Sequence, residues 1–111
     1  MLGELLRWKE AHHPEAHLWF YRDKEGLEVD FVVDVGGELT LLDAKLAEVP
    51  AESDARSLFA TAARLGGVAS KALVTPSRTS FPIGKAVRVV SGFRLAADLG
   101  AAPSGAPPRA P

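Results

Sequence analysis

The 111-residue sequence has no cysteine, a single methionine and no long apolar run. Without thiols there is neither a disulfide framework nor thiolate chemistry, and nothing favours an oxidising compartment. No segment approaches the ~20 apolar residues of a membrane-spanning helix. The N-terminal apolar run is short and carries Glu4 in its first turn, unlike a signal peptide. These absences lead to the expectation of a cytoplasmic protein without membrane contact. An excess of one charge is missing too: 13 basic side chains against 14 acidic ones give −1. A general electrostatic attraction to nucleic acid is therefore absent, and any contact with DNA must be local. Arg22 and Lys24, and later Arg78, Lys85 and Arg88, are the candidates, although scattered basic residues are usually a solvated surface.

What is present fits one domain. An apolar fraction of 47% is ordinary for a globular chain of this length, which has room for a single core. The stretch from Gly100 to Pro111 holds four Pro, four Ala and no large apolar side chain, so it is expected to be a disordered tail after a folded unit spanning residues 1–99.

Periodicity orders the elements. Leu2 to Ala11 reads as a helix with Leu2, Leu5 and Leu6 inward, ended by His12-His13-Pro14. No capping residue precedes Met1, so an upstream part of this helix is expected outside the sequence. His17 to Arg22 is an aromatic strand, and Trp8, Trp19, Phe20 and Tyr21 are expected to pack in the core rather than stack on bases. Asp23-Lys24-Glu25-Gly26 turns the chain into a second strand. There, alternation from Glu28 to Val35 puts Val29, Phe31, Val33 and Val35 on one face and Glu28, Asp30, Val32 and Asp34 on the other. Gly36-Gly37 then predicts a hairpin to a third strand, Glu38 to Leu46. A helix follows from Pro50 to about Leu65, with Leu58, Phe59, Ala62 and Leu65 inward and Gly66-Gly67 as its stop. Lys71 to Thr75 and Ala86 to Val90 are two more strands, and Phe93 to Leu99 a last helical turn or two. The order α-β-β-β-α-β-β-α describes an α/β fold, a mixed sheet flanked by helices.

The charges on these strands are the most informative feature. Asp43 and Lys45 share one face, with Leu39 and Leu41, of a strand that is largely apolar on both sides. Burying unpaired charge is costly, so each needs a partner, which is either the other or a bound cation. With Glu28 and Asp30 on the preceding strand, the convergence points to a metal-dependent, phosphodiester-cleaving site. Arg22 either binds phosphate or pairs with Asp23 or Glu28. His12, His13 and His17 form a conceivable metal cluster, but adjacent histidines beside a proline are usually solvated.

The run from Trp19 through Arg22-Asp23 and Glu28-Val29-Asp30 to Val33, followed by Leu41-Leu42-Asp43-Ala44-Lys45, resembles the C-terminal domain of bacterial and archaeal AAA-type ATPases. That domain is similar in turn to the PD-(D/E)XK, or restriction-endonuclease-like, nuclease superfamily. The resemblance implies that Asp30 and Asp43 hold Mg²⁺ or Mn²⁺ with help from the Ala44 carbonyl, that Lys45 orients the nucleophile or the phosphate, and that Glu28 is an outer acid. It implies DNA as substrate and an ATPase domain or subunit as partner. The alternative it leaves is a catalytically inactive module, or a truncated fragment, that packs on an ATPase domain. Three departures stand out: Asp43 replaces the commoner Glu, the family's helix acid falls before Met1 so that only Glu4 lies near, and no G-x-x-x-x-G-K-[ST] phosphate loop is present. No nucleotide site is therefore expected in this chain.

Overall fold

The computed structural model describes residues 2–47, 49–84 and 86–95. Helix α1 (Leu2–His12) leads into strands β1 (His17–Arg22), β2 (Glu28–Val35) and β3 (Glu38–Ala44). A 3-10 turn (Glu52–Ala55) then enters helix α2 (Arg56–Leu65), followed by β4 (Val68–Thr75), β5 (Phe81–Ile83) and β6 (Val87–Ser91). One mixed sheet of six strands runs β1-β2-β3-β4-β6-β5. The expected antiparallel meander is present over β1 to β3, and α2 carries the chain across to β4, which lies parallel to β3. β4 also pairs parallel with β6.

Two apolar layers hold the sheet between the helices. Leu5 and Trp8 of α1 cover Val33, Leu42, Ala72, Val74 and Val90 on one face. Ala55 and Leu58 cover Val29, Val32, Leu41, Leu73 and Val87 on the other. Each fully buried Leu or Val among these contributes about 1.5–3 kcal/mol relative to exposure. β4, covered on both sides, is buried almost continuously from Ala72 to Thr75, as a central parallel strand should be.

Local chemistry explains most of these boundaries. The β2–β3 turn uses Gly36 and Gly37 at φ of 59° and 92°, and two successive positive values are those of the tight hairpin that matches strand twist. α2 stops at Gly66, whose N–H donates to the Ala62 carbonyl at 3.0 Å.

Several expectations need correction. β5 was not foreseen, because three residues containing Pro82 carry no strand period; proline is tolerated there because β5 is an edge. In α1 the inward residues are Leu5 and Trp8, while Leu2 and Leu6 are exposed. Phe59 and Leu65 of α2 are likewise partly exposed, with Thr61 buried instead. Of the aromatics assigned to the core, Trp8 is buried and Tyr21 half-buried, but Trp19 is 40% and Phe20 68% exposed, since β1 is the other edge of the sheet.

The strict alternation of β2 also fails. Trp19 pairs with Val32 and Tyr21 with Val29, so two steps along β1 match three along β2. One extra residue is thus inserted at Asp30–Phe31, a β-bulge that turns Val29 to the α2 side while Phe31 and Val33 face α1. Gly92–Arg94 forms one 3-10 turn, whereas residues 96–99 of the expected last helix, the expected tail from Gly100 to Pro111, and Lys85 lie outside the described residues.

Candidate functional site

The β2–β3 ladder ends where Phe31 stands opposite Leu42. One step further come Asp30 and Asp43, and here side chains replace the ladder. The Asp30 N–H donates to Asp43 Oδ1 at 2.8 Å, and the Ala44 N–H donates to Asp30 Oδ2 at 2.8 Å. Each carboxylate therefore satisfies a main-chain donor of the opposite strand, which bulging would otherwise leave unpaired. Beyond it, the Lys45 N–H returns to a main-chain partner, the Val74 carbonyl, at 2.9 Å.

The reciprocal arrangement brings two acids together at the end of two adjacent strands, with Asp43 only 6% exposed. Burial pushes the Asp43 carboxyl above the usual range. The Asp30 N–H works against that rise, the Asp30 charge adds to it, and the Lys45 and Glu28 charges act with smaller effect in opposite directions. All four predicted site residues thus meet electrostatically at Asp43.

They do not meet as ion pairs. Asp43 and Lys45, expected to pair with each other unless a cation lay between, form no salt bridge; the nearest partner of Asp43 is a backbone N–H. Glu28 is bound instead by Arg22, whose Nε lies 2.9 Å from Glu28 Oε1 across the β1–β2 ladder. Of the two acids open to Arg22, the structure pairs it with Glu28 and not Asp23, with the guanidinium also 6.0 Å from the Phe20 ring centroid. Among the described residues, no three His, Cys, Asp or Glu side chains are grouped so that they could hold a metal ion. Glu4 points to none of this: it pairs with Arg7 along α1. His13 lies against Trp8, with ring centroids 5.1 Å apart, while His12 and His17 are exposed.

A second charged cluster was not anticipated. Arg64, in the last turn of α2, donates from Nη1 to Asp23 Oδ2 at 3.0 Å and to Glu25 Oε1 at 2.6 Å. Asp23 also accepts the Tyr21 hydroxyl and the N–H groups of Glu25 and Leu27. The β1–β2 turn is thereby tied to α2 immediately before Glu28. No sequence signal marks this contact, because a lone arginine 41 residues away from Asp23 has no period or motif to reveal it.

The donor set suits a hard divalent cation. Two carboxylates from adjacent strand ends each keep one oxygen beyond the main-chain bond, and a cation would relieve their mutual repulsion. Among the described residues, no helix is long and apolar enough to cross a membrane.

Comparison with known proteins agrees with this architecture. No curated protein matches the chain. Among solved structures, one chain in the refined half-complex from the tetradecameric assembly of Thermococcus gammatolerans McrB AAA+ hexamers with bound McrC is similar over 78% of this chain, with a TM-score of 0.50 and 19% identity. The present chain spans 25% of that neighbour's length, and at this identity the likeness is one of fold. The sequence pattern of a domain of unknown function, DUF4143, matches residues 1–93. That match takes in α1, α2 and β1 to β6, and the chain belongs to DUF4143, a domain found with AAA ATPases.

Proposed function

We propose that the chain is a PD-(D/E)XK-like domain associated with an AAA-type ATPase domain or subunit, and that Asp30 and Asp43 hold Mg²⁺ or Mn²⁺ for phosphodiester hydrolysis on DNA. The reciprocal bonding of the two carboxylates carries this reading. It fixes both side chains without a cationic partner in ion-pair contact, and it leaves Asp43 with raised proton affinity in a nearly buried position. Acids used only to hold a strand end are normally given a counter-charge or left in water.

In this reading Asp30 and Asp43 supply the carboxylates and the Ala44 carbonyl adds a neutral oxygen. When bound there, a divalent ion would supply a water of lowered pKa and positive charge to balance that building on the phosphate. Lys45, free of any ion pair among the described residues, is available to position the nucleophile or a phosphate oxygen. The ATPase association draws on the family and on the neighbour's own assembly of AAA+ hexamers. Calorimetric titration of Mn²⁺ into the wild-type chain, Asp30→Ala and Asp43→Ala, with circular dichroism to show that each is folded, tests the reading. Binding lost in both variants supports it; a folded wild type that binds no Mn²⁺ or Mg²⁺ removes it.

A second reading is favoured by one observation. Trp19, Phe20, Leu46 and Val49 leave large apolar surface exposed, with Leu46 at 95% directly after Lys45. An inactive module that packs on an ATPase domain would cover such surface. It predicts association without metal dependence.

A further inference from the structure

We propose that Thr75 is a further residue of the site: its hydroxyl, beside Lys45 at the end of β4, holds the water that attacks the phosphodiester. The inference rests on the hydrolytic reading proposed above and adds to it a group that fixes the nucleophile.

The strand register places Thr75. Asp43 stands opposite Leu73 and Ala44 opposite Val74, and the Lys45 N–H bond to the Val74 carbonyl carries that parallel ladder one step further, so that Lys45 lies beside Thr75. Thr75 in turn stands opposite Ser91 on β6. Leu41, Leu73 and Val87 lie in the layer beneath α2, and alternation along each strand brings Asp43, Lys45, Thr75 and Ser91 to that same side. Thr75 is thus the neighbour of Lys45 across the sheet, at the strand spacing of about 4.8 Å, and one diagonal step from Asp43. An otherwise apolar face turns polar in this one row, at the carboxyl ends of three parallel strands, where open α/β sheets bind their ligands. Thr75 is only 2% exposed, and a buried hydroxyl is costly unless it is bonded. Its Oγ1 accepts the Ser77 N–H at 3.2 Å, which occupies one lone pair; the second lone pair and the proton have no partner among the described residues. A hydroxyl so deeply placed is out of reach of a phosphate carried on a strand, whereas a single water is a group it can hold. Lys45, half-buried, supplies positive charge beside that water. In hydrolysis the water oxygen bonds to phosphorus, one P–O bond breaks, and a water proton passes through solvent to the leaving oxygen; Thr75 gives up no proton of its own.

The test is single-turnover nicking of a supercoiled plasmid with Mn²⁺ by wild type, Thr75→Val and Thr75→Ser, with a calorimetric Mn²⁺ titration and a melting curve for each. Thr75→Val keeps the shape of the side chain and removes the hydroxyl. It is expected to lower the rate at saturating protein by about tenfold to a hundredfold, the effect of misplacing a reacting group. The half-saturating protein concentration and the Mn²⁺ affinity should stay at their wild-type values. Thr75→Ser is expected to restore most of the rate. An unchanged rate in Thr75→Val overturns the assignment. So does a loss that Thr75→Ser fails to reverse, or one matched by a loss of Mn²⁺ affinity, since Thr75 would then serve only the turn at Ser77. If Thr75→Val does not fold, Thr75→Cys, of similar size and a weak donor, is read in the same way. A wild type that binds no Mn²⁺, or binds it and leaves the plasmid intact, removes the hydrolytic reading itself and the water site with it, an outcome distinct from a wild type that nicks no faster than Thr75→Val.

Discussion

Asp23 and Asp43 are both aspartates at strand ends whose carboxylates accept main-chain N–H groups, and they are driven in opposite directions. Burial pushes Asp23 up, but the Leu27 and Glu25 N–H groups, the Tyr21 hydroxyl and the Arg64 charge outweigh it and hold its carboxyl below the usual range. Asp43 has burial and a second acid in place of a bound cation, and it is held above that range. Asp23 accepts three hydrogen bonds besides that of Arg64, and Asp43 accepts one. Together with the Arg64 guanidinium this makes Asp23 a finished structural contact, whereas Asp43 is the acid to which the proposed function gives a ligand's role.

The largest expected difference between the two lies in metal affinity. Asp43→Asn is expected to weaken Mn²⁺ binding by at least about tenfold, since it removes a ligand charge rather than an outer contact. Asp23→Asn should leave that affinity unchanged. Calorimetry on the two variants side by side breaks the comparison if both lose binding or neither does.

Stability separates the main-chain role of Asp43 from its charge. Asp43→Ala orphans the Asp30 N–H and is expected to cost about 1–3 kcal/mol in urea unfolding. Asp43→Asn keeps an oxygen acceptor and sheds the repulsion with Asp30, so it should remain within about 1 kcal/mol of wild type. If the two substitutions cost the same, the charge and not the hydrogen bond holds the strand end.

The pH dependence of unfolding should show both signs. Asp43, raised in the folded state, binds its proton more tightly there than in the unfolded chain. Its contribution therefore falls as pH rises from the ordinary carboxylate pKa through the folded one. Asp23 and Glu25 are lowered, the latter chiefly by the Arg64 hydrogen bond and charge, so their contribution is full above the ordinary carboxylate range and lost as pH falls through their folded pKa values. Asp43→Asn should flatten the first slope and Arg64→Met the second, each leaving the other in place. Melting curves between acid and neutral pH read both.

The smallest effect is expected from Arg64→Lys, which preserves charge but not the reach of one Nη1 to both Asp23 and Glu25. A slight fall in melting temperature, with faster amide exchange at Glu25 and Leu27, would locate the clamp at the turn. Unchanged exchange at those two amides would show that the Asp23 carboxylate alone holds it.

The parts of the molecule that were legible in the sequence are those written in local pattern. Gly36-Gly37 announced the hairpin because its geometry demands positive φ, and Gly66 announced the end of α2. The proximity of Asp30 and Asp43 followed from pairing two apolar strands across that turn. What was illegible depended on tertiary surroundings. β1 became an edge, and Trp19 and Phe20 with it became surface, through a strand order that hydropathy does not encode. Leu2 and Leu6 look as inward as Leu5 until the position of α1 on the sheet is known. The Arg64 clamp spans elements with no shared motif, and the bulge in β2 lies in a segment where Val32 alone breaks the apolar–polar alternation.

That bulge gives the length of β2 a meaning independent of its composition. Removing one residue at Asp30–Phe31 would restore strict alternation and keep Val29 opposite Tyr21 and Glu28 opposite Arg22, so Val29 would stay in the layer beneath α2. What would go is the offset by which Asp30 and Asp43 each bind the main chain of the other strand, because Val29 would become the next rung of the ladder, opposite Asp43. A single in-frame deletion would therefore spare the packing and dismantle the carboxylate exchange, while substitutions at the same two positions would leave the length of the strand as it is.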